Sequence, residues 1–236
     1  MTLGIMQPYF LPYLGYFSLI KQADEFILLD DVQFIRHGWI ERNRILKPTA
    51  GWQYIKVPLQ KHERSTTIKD IKINNSLPWK EMILSQLGHY KKRAKYYNET
   101  VELIRKIFLN DYTDIVSLNK KAIQEICYYI GLTTKINVFS KMSILIDPPK
   151  APDEWALNIC KSYKGTSNYI NPIGGLEFFE KNKFFENNIN ISFQKFQVMP
   201  YKQFETTFEP ALSIVDVLMF NDRETVNLML DSYELI

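Results

Sequence analysis

The sequence predicts an α/β protein with a Rossmann-like, largely parallel sheet flanked by helices. Two apolar stretches, Thr2–Met6 and Glu25–Leu29, lack the polar alternation of a half-exposed strand, as is typical of strands buried on both faces. Apolar residues at helical spacing fill Tyr13–Ala23, between these two stretches. Strand, loop, helix and strand in this order predict a βαβ unit at the start of the chain.

The middle of the chain predicts strands followed by helices. Trp52–Leu59 and Ile68–Ile73 alternate between apolar and polar residues, which favours a hairpin. Three helical patterns follow along the chain: Pro78–Lys92, Tyr97–Phe108 and Ile115–Ile130. We expect them to form a helical insertion, layer or subdomain over residues 76–132, within one α/β domain that covers residues 1–236.

The last third of the chain returns to alternating strands and helices. The predicted strands lie at Ile136–Phe139, Asn168–Ile170 and Ile189–Phe193. The predicted helices cover Asp153–Tyr163, Pro210–Phe220 and Arg223–Leu230. Alternation of this kind extends a parallel sheet whose crossovers are helical.

Composition and charge exclude several classes of protein. A hydrophobic fraction of 46% with 23% charged residues is typical of a folded globular chain. The 29 basic and 26 acidic residues nearly balance, so we expect no nucleic-acid partner. We also expect a cytoplasmic protein, because there is no signal peptide and no run of about 18 apolar residues. Cys127 and Cys160 lie in apolar stretches and are predicted to be buried thiols in a reducing compartment.

The loop after the first strand is the first candidate for ligand binding. Open α/β sheets place nucleotides at this point, where free N–H groups at the start of a helix attract phosphate. A glycine in the first helical turn permits close approach, either of a ligand or of a neighbouring element. The predicted nucleotide-binding residues are Gln7, Tyr9, Tyr13, Gly15 and Tyr16.

Two carboxylates follow the second predicted strand. Asp30 and Asp31 stand where a parallel sheet presents side chains to a ligand. Neighbouring residues of a strand point to opposite faces, so we expect only Asp31 to face the site. It would act there as a base toward an amine or as a metal-binding carboxylate. The alternative is a role in the turn before Val32.

A polar segment with several cations follows these carboxylates. Guanidinium groups hold phosphate or carboxylate through paired hydrogen bonds, so Arg42 and Arg44 are predicted to neutralise charge that develops during catalysis. A charged surface loop is the alternative. His89 is a candidate base or a partner for a helix dipole. The predicted substrate-binding residues of this segment are Gln33, Arg36, His37 and Asn43.

Two further candidates come from the last third of the chain. The turn Asn171–Gly175 is predicted to wrap a phosphate or a sugar with backbone N–H groups, or to serve only as a turn. Its predicted substrate contacts are Asn171, Gly174 and Gly175. Asp216 is a candidate ligand contact or a structural hydrogen-bonding residue. The three histidines and two cysteines fit no zinc-binding spacing, so the sequence assigns no metal-ligating set.

The spacing Tyr13-x-Gly15-Tyr16 is similar to the His-x-Gly-His signature of the nucleotidylyltransferase and class I synthetase superfamily. In those enzymes the two histidines hold phosphates, and they follow the same strand. Tyrosines replace both histidines here. A phenol stays neutral at pH 7 and only hydrogen-bonds to phosphate, whereas an imidazole can also carry charge.

Sequence blocks along nearly the whole chain carry a second, closer resemblance. They are Met6–Phe17, Ala23-Asp24, Asp30–Phe34, Trp39-Ile40, Arg42–Ile45, Tyr169–Pro172, Gly174-Gly175, Phe208 and Ser213–Asp216. Together they resemble the WbqC-like family of bacterial polysaccharide gene clusters. The resemblance implies a role in making O-antigen or related surface glycans.

The reaction that this resemblance implies is amide formation on a nucleotide-linked amino sugar, with a glycyl or other acyl group as the transferred unit. ATP or another nucleotide is the expected cofactor. One alternative is nucleotidyl transfer to a sugar phosphate. The other is a non-catalytic module that binds nucleotide sugars.

Overall fold

A computed structural model describes residues 1–204 and 207–236 of the chain. Its described strands are β1 (Thr2–Met6), β2 (Glu25–Leu28), β3 (Arg42–Leu46), β4 (Trp52–Lys56), β5 (Lys135–Val138), β6 (Asn168–Pro172), β7 (Asn190–Phe196) and β8 (Tyr233–Leu235). Six of them form one sheet in the order β5-β2-β1-β6-β7-β8. All neighbours in it are parallel except β8, which is antiparallel to β7. The predicted α/β fold with a largely parallel sheet is therefore confirmed.

Eight α-helices lie in the described part of the chain. They are α1 (Leu14–Gln22), α2 (Trp79–Leu87), α3 (Tyr97–Phe108), α4 (Ile115–Tyr129), α5 (Glu154–Ser162), α6 (Lys181–Phe185), α7 (Ile214–Phe220) and α8 (Arg223–Met229). Helices α2, α3 and α4 fall within residues 76–132, and α3 packs against α2, α4 and α7. The buried side chains of these helices join the same apolar core as α1.

The central sheet is buried on both faces. Phe26 and Leu28 of β2 belong to the larger core, which also contains α1 and the helices of residues 76–132. Ile27, between them, belongs to a smaller core with Ile159 of α5. Successive side chains of a strand alternate between faces, so a strand covered on both faces has no polar position. This burial explains the uninterrupted apolar run at Phe26–Leu29 in the sequence.

The hairpin in the middle of the chain contains one of the two predicted strands, because β4 lies within the predicted strand Trp52–Leu59, but its partner strand differs from the predicted one. Strand β3 pairs antiparallel with β4, with Arg42 opposite Lys56 and Leu46 opposite Trp52. The strand predicted at Ile68–Ile73 was wrong: Ile68–Asp70 is a 3-10 turn, and Ile73 forms an isolated antiparallel bridge with Leu59. The sequence does not predict strand β3, because the buried polar residue Asn43 occupies one of its inward positions and interrupts the expected apolar alternation.

Two helix boundaries also differ from the predicted ones. The helix predicted to continue to Lys92 ends at Leu87 and is followed by a 3-10 turn, Gly88–Lys92. The helix predicted from Pro210 begins at Ile214, where the Ser213 hydroxyl accepts a hydrogen bond from Val215 N–H. This hydroxyl satisfies a backbone donor that a helix start leaves without an internal partner.

The two cysteines are free thiols in the interior, as the sequence predicts. Burial raises the pKa of Cys127 and of Cys160 to about 12, so both thiols stay protonated and unreactive near neutral pH. Within the described residues, no helix has both the length and the apolar composition that crossing a membrane requires.

The close packing at Gly4 gives a first testable prediction. A Cβ atom at Gly4, in the central strand β1, would lie 2.6 Å from the ring of Phe26, which is fully buried and has no room to move. We expect Gly4→Ala to lower the free energy of unfolding by about 1–3 kcal/mol, as overpacking does. Gly88→Ala is the control, because a Cβ there meets no atom within 4 Å. Chemical denaturation measures both, and equal stability of the two variants would contradict the packing argument.

Candidate functional site

A cleft opens at the carboxyl ends of the central strands. The chain runs outward from β1 through β2 to β5 on one side of the sheet, and from β6 to β7 on the other. The strand order therefore reverses between β1 and β6, and open α/β sheets bind ligands in the crevice at such a reversal. The cavity at this place has a volume of about 960 Å³. We call it the switch-point cleft.

Three loops of the sheet contribute residues that the sequence predicts for the site. The loop after β1 contributes Gln7 and Tyr9, and the segment after β2 contributes Asp31 and Gln33. The end of β6 and the turn after it contribute Asn171, Gly174 and Gly175. These seven residues come from three distant parts of the chain, and the parallel sheet brings them to one edge.

The two adjacent aspartates have different surroundings. Asp30 is buried, and its carboxylate accepts hydrogen bonds from Ser140 N–H at 2.9 Å and from Ser140 Oγ–H at 2.6 Å. Asp31 lines the cleft, and its side chain is 32% exposed. The hydrogen bond and the charge of Asp31 raise the pKa of Lys69, whose ammonium lies 2.5 Å away. Only Asp31 is therefore accessible from the cleft.

Asn171 and Gly175 form the wall below the turn after β6. Asn171 is buried, and its Nδ2 donates a hydrogen bond to the hydroxyl of Tyr169. Burial raises the pKa of Tyr169, so this phenol is neutral. A Cβ at Gly175 would lie 2.3 Å from Asn171 Oδ1, so only glycine fits against the amide. The predicted turn is a 3-10 turn, Ile173–Gly175.

Four residues that sequence reasoning missed complete the cleft. Trp155, Phe178 and Phe179 supply aromatic faces, and Lys150 supplies an exposed cation. They come from the segment before α5 and its first turn, and from the chain after β6. No spacing relates them to the loop after β1. The one available indication was the high aromatic fraction of 14%, which suits a ring-binding pocket but points to no position.

The rest of the first loop lies outside this cleft. Tyr16 is buried in the core, and its hydroxyl donates to Gln7 O at 2.9 Å. A Cβ at Gly15 would lie 2.5 Å from the ring of Tyr13, so this glycine permits close packing of a side chain. The amino end of α1 lies against the start of α7: Ile214 N–H donates to Pro12 O at 2.9 Å. Of the five residues predicted to hold a nucleotide, the structure brings Gln7 and Tyr9 to the cleft.

The cations of the hairpin also lie elsewhere. Asn43 is buried and donates to Phe10 O at 3.1 Å and to Leu11 O at 2.9 Å, which fixes the first loop. Arg44 donates to a backbone carbonyl and lies over two tryptophan rings. Arg42 donates to the carbonyls of the preceding turn and lies 4.2 Å from the ring centroid of Tyr54. The backbone and ring contacts of these residues stabilise the hairpin.

The remaining predicted residues occupy three other places. Arg36 and His37 line a second cavity, which lies between the hairpin and α2 and which we call the hairpin cavity. His89 packs on Tyr90 with ring centroids 4.3 Å apart, and burial lowers the pKa of its imidazole. Asp216 is fully buried and lines neither cavity.

Asp216 forms the centre of a buried polar network. Its carboxylate accepts hydrogen bonds from the hydroxyls of Tyr90 and Tyr201, the latter at 2.6 Å. Gln203 Nε2 donates to it at 3.4 Å. Burial raises the pKa of Asp216 to about 6, although these hydrogen bonds oppose the increase. The structure therefore favours the structural interpretation of Asp216 over a ligand contact.

The fold and the cleft define a class of protein: a doubly wound α/β protein with a polar and aromatic cleft at its topological switch point. The chain belongs to the WbqC-like protein family, whose family model matches residues 7–228. It is 30% identical over 221 residues to the uncharacterized protein Rv1507c of Mycobacterium tuberculosis, an alignment that covers 92% of each chain. No solved structure matches the chain.

Proposed function

We propose that the protein is a nucleotide-dependent transferase that forms an amide on a nucleotide-linked amino sugar, bound in the switch-point cleft. The observation that carries the proposal is the accessible carboxylate of Asp31 in a cleft of about 960 Å³, at the sheet edge where α/β proteins bind nucleotides. The resemblance to the WbqC-like family supports a place for this reaction in the synthesis of O-antigen or related surface glycans.

The lining of the cleft suits each part of such a ligand. Lys150 offers a positive charge to a phosphate, and the aromatic faces of Trp155 and Phe178 suit a base or a sugar ring. Gln7 and Gln33 offer amide donors and acceptors to sugar hydroxyls. A cleft of this volume is at the upper end of the range of about 300–1,000 Å³ for small-molecule sites, which accords with a ligand of two joined units.

The proposed chemistry is the transfer of an acyl group from an acyl phosphate, which forms when the carboxylate of the acyl donor attacks the γ-phosphorus of ATP and ADP leaves. The sugar nitrogen attacks the acyl carbon, the C–N bond forms, and the bond between the acyl carbon and the phosphate oxygen breaks. Asp31 accepts the proton that the amine loses, while phosphate leaves with the electron pair. Positioning of the two reactants supplies most of the rate enhancement in this scheme.

A direct assay tests the proposal. The protein is incubated with ATP, glycine and a nucleotide-linked amino sugar, and the sugar is followed by mass spectrometry. We expect a mass increase that corresponds to one glycyl group, or to another acyl group when the donor is changed. An unchanged sugar across a panel of acyl donors, together with no nucleotide binding by calorimetry, would rule the proposal out.

A non-catalytic module that binds nucleotide sugars is the second candidate. One observation favours it: the carboxylate of Asp31 already forms an ion pair with the ammonium of Lys69 at 2.5 Å, so an amine substrate would have to displace Lys69 to reach it. This candidate predicts saturable binding of the nucleotide-linked sugar without product. Calorimetry and the mass assay on one preparation distinguish the two candidates.

A further inference from the structure

One segment of the chain lines both the hairpin cavity and the switch-point cleft. Gln33 and Ile35 of this segment line the cleft, whereas Phe34 and Arg36 line the hairpin cavity. The alternation follows from the strand-like backbone, in which successive side chains point to opposite sides. With a volume of about 1030 Å³, the hairpin cavity is as large as the cleft and is a separate site.

Glu41 places a buried carboxylate against the hairpin cavity. Glu41 is only 4% exposed, and its Oε2 atom has no hydrogen-bond partner among the described residues. The backbone holds Glu41 in place, since Val57 N–H donates to Glu41 O at 2.8 Å. A buried carboxylate oxygen without a donor is costly and is retained where a ligand supplies the missing donor.

His62 presents a second acceptor to the same cavity. Its Nδ1 lies 2.9 Å from Gln60 O, and a carbonyl only accepts, so Nδ1 carries the proton. In the neutral ring Nε2 is then an acceptor, and this atom is also buried without a partner. Glu41 Oε2 and, in the neutral ring, His62 Nε2 therefore both lack a donor.

The remaining walls define the body of the ligand. Trp79 and Ile83 form a buried apolar wall, while Leu77 and Met82 are exposed at the mouth, 48% and 58% respectively. The other charged side chains of the cavity, Arg36, Lys56 and Glu81, are exposed. No group of three or more metal-ligating side chains occurs among the described residues, so an organic cation suits the acceptors better than a metal ion.

We infer that the hairpin cavity binds a ligand that carries a primary ammonium group on an apolar or aromatic body, with the ammonium hydrogen-bonded to Glu41. An ammonium group has three donors and a positive charge, so it satisfies Glu41 Oε2. The inference goes beyond the proposed function and does not depend on transferase chemistry, because it concerns another cavity.

The test is calorimetry with the full chain and three small probes: 2-phenylethylamine, 2-phenylethanol and 3-phenylpropionate. We expect saturable binding of the amine at one site and binding of the alcohol that is weaker by roughly tenfold or more, since the alcohol lacks the charge. The carboxylate should bind most weakly. Equal binding of amine and alcohol, preference for the carboxylate, or no saturable binding of the amine would overturn the inference.

Glu41→Gln keeps the shape of the side chain and removes its charge. We expect it to weaken binding of the amine by roughly 30-fold or more, because it removes one partner of a buried ion pair. We also expect it to raise the melting temperature of the free protein, since a neutral amide costs less to bury than a carboxylate oxygen that lacks a donor. Unchanged amine affinity in this variant would overturn the inference.

Two further variants make the test independent of the folding of Glu41→Gln. Asp31→Asn, in the other cavity, should leave the dissociation constant of the amine within about twofold. Met82→Lys changes an exposed residue at the mouth and places a second ammonium there. This variant should weaken binding of the amine and leave binding of the alcohol unchanged. The reverse pattern would contradict a cation site.

Discussion

Substitution of Asp216 by alanine is expected to lower the free energy of unfolding by about 2–6 kcal/mol. The variant removes the acceptor of two buried phenols, Tyr90 and Tyr201, at about 1–3 kcal/mol for each donor that is left unsatisfied. Burial raises the pKa of both phenols well above the ordinary value, so neither can shed its proton. Chemical denaturation measures the effect. A loss below about 0.5 kcal/mol would contradict the network, since surface substitutions have effects of that size.

Asp216→Asn is the matched variant, because an amide of the same shape accepts from one phenol and donates to the other. The pKa of Asp216 is raised to about 6 from 3.8, so the folded state binds a proton more tightly than the unfolded state. Its stabilisation is complete below pH 3.8 and is lost as the pH rises through 6. Between about pH 3.5 and 7 we expect the wild type to lose about 3 kcal/mol relative to Asp216→Asn. If the free energies of unfolding of the two proteins changed in parallel with pH, this titration would be excluded.

Substitution of Asp31 by asparagine is expected to lower turnover by roughly 10²–10⁴-fold in the mass assay, which is the usual loss when a general base is removed. Stability should change by about 1 kcal/mol or less, because the ion pair with Lys69 is partly exposed to solvent. Binding of the nucleotide-linked sugar should remain measurable by calorimetry, because the amide keeps the shape of the side chain.

Asp70→Asn is the control for Asp31→Asn. Asp70 lies in the neighbouring 3-10 turn and accepts a hydrogen bond from the Thr67 hydroxyl, but it does not line the cleft. It should retain turnover close to that of the wild type. Equal turnover of Asp31→Asn and wild type would remove Asp31 as the base. Binding of the sugar without turnover in every variant would favour the non-catalytic module.

Local sequence patterns predict most of the sheet and fail where a polar residue is buried. Strands β1 and β2 are visible in the sequence because both of their faces are apolar. Strand β3 is not, because Asn43 faces inward to bind the carbonyls of the first loop. Strand β8 carries no apolar run that distinguishes it, and its pairing with β7 is a long-range contact. Polar residues with structural roles thus resemble functional ones in the sequence.

The same difficulty applies to the candidate site. The sequence placed a carboxylate, amides and glycines at the ends of β1, β2 and β6, where a parallel sheet gathers its loops, and Asp31, Gln7 and Asn171 do lie together there. The sequence also predicts Arg42, Arg44 and Asp216 as site residues, and local patterns do not distinguish them from the residues that line the cleft. The hydrogen bonds of Arg44 and Asp216 depend on neighbours that are distant in the chain, whereas Arg42 donates to carbonyls of the turn just before it.

The sequence by itself determined the α/β class, the parallel strands and the family, because these depend on local periodicity and on long runs of matching residues. Only the tertiary structure decided which polar side chains face a cavity and which form hydrogen bonds within the core. The tertiary structure also shows that Glu41 lies beside the hairpin cavity and is buried, with a carboxylate oxygen that lacks a donor. The sequence shows neither its burial nor the missing donor. The physical reason is that solvation and hydrogen bonding depend on neighbours that folding brings together.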